Sequence, residues 1–218
     1  MLLEKLEFCS LFSYCPKSTT EKGKIAKRLM IDIKNERSLN LPSLGEIYAS
    51  QLVAKFFLAK WKAILSGFSP DSTILVPVPR SAPIRKDYLW VPYEIAKAME
   101  KEGFGTVKPI LKRVNAVSRS STSLPAQRPS PGDHCNSMAV EATDSSFQRI
   151  LLVDDIVTRG HTFMGAAWRI KKAFPEAEIK AFAAMRTVSD ETQFKDYFDP
   201  IRGIIWYRKE IGDCIRRP

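Results

Sequence analysis

Two adjacent aspartates, Asp154 and Asp155, close an apolar run in the stretch "ILLVDDIVTRGHTFMGAAWRI". Thr158-Arg159-Gly160-His161-Thr162 follow at once, before a segment with helical periodicity. Carboxylates accept hydrogen bonds and bind hard cations, so the pair suits sugar hydroxyls or a hydrated Mg²⁺. The next five residues suit an anion. Gly160 permits a backbone conformation that a Cβ opposes, and successive N–H groups then converge into a nest. The helix that follows adds its positive end, and Thr158 and Thr162 add hydroxyl donors. Carboxylates repel phosphate, so the two halves must face different parts of one ligand. A sugar phosphate satisfies both, with phosphate in the nest and hydroxyls on the aspartates.

A lone acid pair is more often a turn or helix cap, and Gly160 alone is a turn glycine. The combination of strand, acid pair, T-x-G-x-T and helix argues against that simpler reading. Receiver domains also carry paired aspartates after an apolar strand. That strand opens their fold, and too little chain follows Asp155 to complete one. Neither a Walker G-x-x-x-x-G-K nor a dinucleotide G-x-G-x-x-G occurs.

These residues require elements to hold them. "RILLVDD" and "EIKAFAAMR" read as buried strands and "TFMGAAWRIKKAF" as the helix between them, stopped by Pro175. Upstream, Thr73 to Val78 is a strand, "VPYEIAKAMEKEGF" a helix with Pro92 in its first turn, and "KPILKRV" and "MAVEA" strands. Between the last two, residues 115–136 are rich in Ser, Pro and polar side chains, a composition expected of a functional or flexible loop. Ser18 and Glu21 have capping-box spacing at the start of a helix carrying Ile25, Leu29 and Ile33 on one stripe. A second helix is expected over "SLGEIYASQLVAKFFLAKWKAIL", ended by Gly67 and Pro70. Alternation of strands and helices predicts an α/β fold with a doubly wound, mostly parallel sheet. The division expected is a helical segment over 1–70, a core over 71–186 and an extension over 187–218 with one strand at "GIIWYR".

The whole chain sets outer limits. Its 218 residues suffice for one sizeable core. Cys9, Cys15, Cys135 and Cys214 form no C-x-x-C pair and lack histidines at ligand spacing, which argues for reduced thiols rather than zinc or disulfides. The longest apolar stretch is interrupted by Lys60 and Lys62 and is too short to span a bilayer. Glu4 and Glu7 stand where a signal peptide carries positive charge, so a cytoplasmic location is expected, with no membrane partner. The net charge of +10 favours polyanionic or phosphorylated partners.

"ILLVDDIVTRGHT" resembles the phosphoribosyl-pyrophosphate (PRPP) motif of type I phosphoribosyltransferases: apolar residues, two acids, then T-T/R-G-x-T. It departs in Arg159, where Thr is usual, and in His161, where a small residue is common. "ILVPVPRS" is similar to the pyrophosphate-loop strand of the ComF-like branch, the competence-associated homologues, and "AKRLMIDIKNE" to that branch's upstream helix. The branch's cysteine-rich zinc finger is missing. The likeness covers roughly residues 24–186, and only Ile150–Thr162 is specific.

The resemblance implies a type I phosphoribosyltransferase fold with a small hood, and an enzyme that takes Mg²⁺-PRPP and transfers its 5-phosphoribosyl group to a nitrogenous base, releasing pyrophosphate. Asp154 and Asp155 would hold the ribose hydroxyls and Mg²⁺, directly or through water. Thr158, Arg159, Gly160, His161 and Thr162 would cradle the 5′-phosphate. Arg80 and Ser81 would meet pyrophosphate, although Arg80 reads equally as a surface arginine. The loop over 115–136 would close on PRPP, bringing Arg119, Arg128 and His134 to the leaving group. Trp206, Tyr207 and Phe198 have the chemistry to stack on a base but more often pack. The acceptor is not legible, and oligomeric state stays open, with a homodimer common among relatives. The alternative is a PRPP-sensing module, or one that binds single-stranded nucleic acid through its basic charge.

Overall fold

The computed structural model describes residues 3–42, 44–83, 88–118, 128–141 and 147–218. Its elements run β1 (Lys5–Tyr14), α1 (Glu21–Lys34), β2 (Ser38–Leu41), β3 (Gly45–Tyr48), α2 (Ala49–Ile64), β4 (Thr73–Pro77), α3 (Val91–Lys101), β5 (Thr106–Val107), β6 (Leu111–Arg113), α4 (Pro131–Asn136), β7 (Met138–Val140), β8 (Arg149–Val157), α5 (His161–Ala173), β9 (Glu178–Thr187), β10 (Phe198–Arg208) and β11 (Asp213–Arg217). Seven strands make one sheet in the order β11-β10-β1-β9-β8-β4-β5. Neighbours from β1 to β5 are parallel, and β10 and β11 add antiparallel strands at one side. This is the expected α/β class, with helices on both faces of a mostly parallel sheet.

The central strands are apolar on both sides because both faces are covered. Leu151 and Val153 of β8 point into a core shared with Ile33 of α1, Phe57 of α2 and Ile95 and Met99 of α3. Ile150 and Leu152 point the other way, into a core built with Phe163, Met164, Ala167 and Trp168 of α5. Each fully buried Leu, Ile, Phe or Met stabilises the fold by roughly 1.5–3 kcal/mol.

Several boundaries differ from the sequence reading. The first seventy residues are not purely helical: β1 enters the sheet between β9 and β10. Its core, Phe8 to Phe12, is buried throughout, so it lacks the alternation that marks a half-exposed strand. The α1 cap is Thr20, whose side chain accepts from Gly23 N; Ser18 pairs with the Thr20 hydroxyl instead. The second helix begins at Ala49. Gly45, with φ +68°, turns the chain into an extended strand paired with β2. Gln51 then accepts from Tyr48 N and Glu36 from Ser50 N, capping α2 at that point.

The extension after Arg186 is not a separate cap; it supplies β10 and β11. Its aromatics pack: Phe198 against Phe12 and Phe56, and Tyr207 edge-on to Trp168, while Lys5 lies over the Trp206 ring. Of the loop expected over 115–136, residues 119–127, including Arg119, lie outside the described residues, and Pro131–Asn136 form α4.

A glycine lets α4 lie directly on α5. A Cβ at Gly165 would stand 2.5 Å from Pro131 O and 2.6 Å from His134 Cβ. Gly165→Ala is therefore expected to push α4 off α5 and to destabilise the protein by about 1–3 kcal/mol, an overpacking cost. Urea denaturation measures it; an unchanged midpoint would show that the helices separate freely.

Candidate functional site

Parallel strands direct their carboxyl ends to one edge, and a ligand crevice opens there. A cleft of about 630 Å³ occupies that edge beyond β4 and β8. Its lining includes Arg80, Ser81, Arg128, His134, Asp154, Asp155 and the run Thr158 to Thr162. The described residues expected to hold the sugar, its phosphate and the pyrophosphate thus meet in one place, and the aromatics Phe198, Trp206 and Tyr207 do not join them.

The acid pair forms the floor. β8 does not stop at the aspartates but continues to Val157; adjacent strand side chains leave on opposite faces, yet both residues line the cleft at the strand's carboxyl end. Asp154 Oδ1 accepts from Asp155 N at 2.9 Å, and Asp155 Oδ1 from Ile156 N at 2.7 Å. Asp154 keeps a partial opening to the cleft while its carboxyl is enclosed by protein. Burial raises its pKa well above the ordinary carboxylate range, and the neighbouring Asp155 charge adds to the rise. Such a pair is stabilised by whatever brings positive charge or hydrogen-bond donors.

Residues 158–160 form the turn between β8 and α5, which opens with His161 and Thr162. Gly160 is the N-cap of α5 with φ +95°. A side chain there would also collide with Ile205, 2.6 Å from the position of a Cβ. Among the described residues, the backbone N–H groups of Arg159, Gly160, His161 and Thr162 donate to no protein acceptor. They are the unsatisfied donors of a helix start, lining the cleft.

Cations surround this floor. Among the described residues, Lys34, Arg80, Arg113, Arg128 and Arg159 line the cleft against the two carboxylates Asp154 and Asp155. Arg80 is not a free surface arginine: Nη1 donates to Leu89 O, and its guanidinium lies over the Tyr88 ring. Ser81 contributes its carbonyl to Val117 N at 2.8 Å.

Arg113 and Lys34 were missed in the sequence. Arg113 is only 5% exposed. Its Nε donates to Arg80 O at 2.8 Å, and Nη1 donates to Ser137 Oγ and His134 O. No carboxylate forms an ion pair with it among the described residues. Burial lowers its pKa to about 10, opposed by the Asp154 charge, and it remains a cation at neutral pH. A buried cation with no counter-ion is costly and favours an arriving anion. The signal was present: in Leu111-Lys112-Arg113, the two-residue strand period puts Arg113 on the buried side with Leu111. Lys34, at the end of α1, carried no such signal.

His134 sits inside the fold at 3% exposure, between Arg113 and Thr162. Its Nδ1 faces the guanidinium, which only donates, so the ring proton lies on Nε2 toward Thr162 Oγ1. Burial, then the charges of Arg113 and His161, lower its pKa to about 4. His134 is therefore neutral at pH 7 and part of the wall, not a mobile contact. His161 bonds outward, away from the nest, to Asp213 Oδ1 at 2.6 Å and Pro129 O at 3.0 Å.

Among the described residues no cluster of three or more His, Cys, Asp or Glu could hold a metal. Mg²⁺ needs no such cage, since one or two carboxylates plus substrate phosphates suffice; Asp154 and Asp155 fit that pattern. No helix is long and apolar enough to cross a membrane. No protein-family model matches the chain, and no curated protein matches it significantly.

The depressed His134 pKa has a consequence for stability. Between pH 6.5 and about 4 the unfolded chain gains a proton at this residue that the native protein refuses. Stability is expected to fall as pH drops through that window, by up to about 3 kcal/mol. Denaturation midpoints across the window measure it. His134→Gln should flatten the dependence, and an equal slope in that variant would assign the effect to other groups.

Proposed function

We propose that this protein binds Mg²⁺-PRPP and transfers its 5-phosphoribosyl group to a nitrogenous nucleophile, releasing pyrophosphate. The observation that carries the proposal is the meeting, in one cleft, of an acid pair at the end of β8 with open backbone N–H groups at the start of α5. The two features bind opposite chemistries, and a phosphorylated sugar carries both.

In this reading the 5′-phosphate takes the N–H groups of residues 159–162 and the Thr158 and Thr162 hydroxyls. The ribose hydroxyls face Asp154 and Asp155, and the raised proton affinity of Asp154 falls when donors or a cation arrive. Mg²⁺, held by these carboxylates directly or through water, would neutralise charge on the departing pyrophosphate. Arg80, Arg113 and Arg128 line the wall where the pyrophosphate end would lie. Preorganised cations there stabilise charge that grows in the transition state. Arg113 is the best suited, because its guanidinium is fixed by three acceptors before any ligand enters.

The same cationic walls favour the nucleic-acid reading, in which a phosphodiester backbone occupies the cleft. Calorimetry with Mg²⁺-PRPP separates the two. Binding is expected, and no binding to the wild type would sink the proposal. Combining Asp154→Asn with Asp155→Asn should weaken affinity roughly a hundredfold or more, two charge-assisted contacts being lost. The fold should survive, because the substitutions remove a buried charge pair, as an unreduced melting temperature would show. Salt-dependent binding of single-stranded DNA, without pyrophosphate release for any base in a panel, would transfer the site to nucleic acid.

A further inference from the structure

The two residues that depart from the phosphoribosyltransferase pattern, Arg159 and His161, share one partner. Asp213, the first residue of β11, places Oδ1 2.6 Å from His161 Nε2 and Oδ2 3.5 Å from Arg159 Nη1. Arg208 Nη2 lies 3.4 Å from the same Oδ2, and Cys214 N donates to Oδ1 at 2.8 Å. On the far side of the imidazole, Nδ1 donates to Pro129 O at 3.0 Å. The imidazole is thereby held from both sides, by the carboxylate of β11 and by the carbonyl of Pro129.

Other contacts tie the same strands to the same loop. Arg216 Nε donates to Thr158 O at 2.7 Å, and its guanidinium also reaches Thr187 O at the end of β9. Ile205 of β10 closes against Gly160. Strands β10 and β11 therefore touch Thr158, Arg159, Gly160 and His161. Asp213 itself is not among the cleft-lining residues; it meets the loop from behind.

We infer that Asp213 is a positioning residue that, acting through His161 and Arg159, sets the geometry of the anion loop at 158–162 and, through Pro129, the place at which Arg128 meets the cleft. The inference rests on the reading of that loop as a phosphate site. Removing one carboxylate frees Arg159, Arg208 and the His161 imidazole at once. The chain reaches the cleft again at Arg128, and the bond between His161 and the adjoining Pro129 fixes that point against α5. The anion loop and the arginine opposite it are thus held in register by one carboxylate.

The test uses the full chain with ribose 5-phosphate and inorganic pyrophosphate as calorimetric probes of the two ends of the cleft. Asp213→Asn is expected to weaken ribose 5-phosphate about tenfold and pyrophosphate several-fold, and Asp213→Glu to recover part of the loss. The chain has only two histidines, so ¹⁵N-histidine spectra report the ring directly. The His161 signals should move in Asp213→Asn and on adding ribose 5-phosphate to the wild type. A purely structural role would lower the melting temperature and leave both affinities of the folded protein unchanged, and that result overturns the inference. Should Asp213→Asn fail to fold, Asp213→Glu decides alone: a several-fold loss supports positioning, and wild-type affinity overturns it. If the wild type binds neither Mg²⁺-PRPP nor ribose 5-phosphate, the proposed function falls and the inference with it; if it binds and the variants match it, only the inference falls.

Discussion

Parallel pairing of β4, β8 and β9 is the constraint on which the site depends. Parallel neighbours must be joined by crossovers, so every strand in the set points its carboxyl end to the same edge. The crossover helix after β8 must then start at that edge, with its unsatisfied N–H groups facing outward. An acid pair at the strand end and a set of open N–H groups at the helix start become neighbours by topology alone. Their opposite preferences are held about one turn of chain apart, close enough for one ligand to span.

The sheet also explains the cost that the site carries. Asp154 lies where the strand is still enclosed, and a second carboxyl follows it. A fold selected for stability alone would place neither there. Arg113 makes the complementary concession from the opposite wall, as a buried guanidinium bound, among the described residues, to carbonyls and a hydroxyl but to no carboxylate. Each unfavourable burial would be eased by a ligand group of opposite charge.

How much of this was legible varied with the source of each element's stability. The strand–acid pair–nest–helix unit at residues 149–173 was read nearly whole, because its chemistry and its periodicity are local. Its one misreading was the strand end: Ile156 and Val157 still pair with β9, which no local signal announces. The strand at Lys5–Tyr14 was missed because burial on both faces erases alternation. The β2–β3 hairpin hid inside a helical pattern until Gly45 and the Gln51 and Glu36 caps fixed where α2 starts. Arg119 lies among residues whose structure is not described, so its role rests on the sequence alone. The role of β10 and β11 was invisible for another reason. Their contacts with the anion loop are long-range, and neither Asp213 nor Arg216 stands in a pattern that points back to residues 158–162.

That long range has a consequence for how the protein is made. His161 is synthesised 52 residues before its partner Asp213. During that interval α5 can form and the acid pair can reach the end of its strand, while the loop between them lacks its outer support. The chain must pass through β9 and β10 before the brace exists. The brace is therefore completed only when β11 has been made, and a nascent chain arrested between those strands would hold the chemistry of the cleft without it.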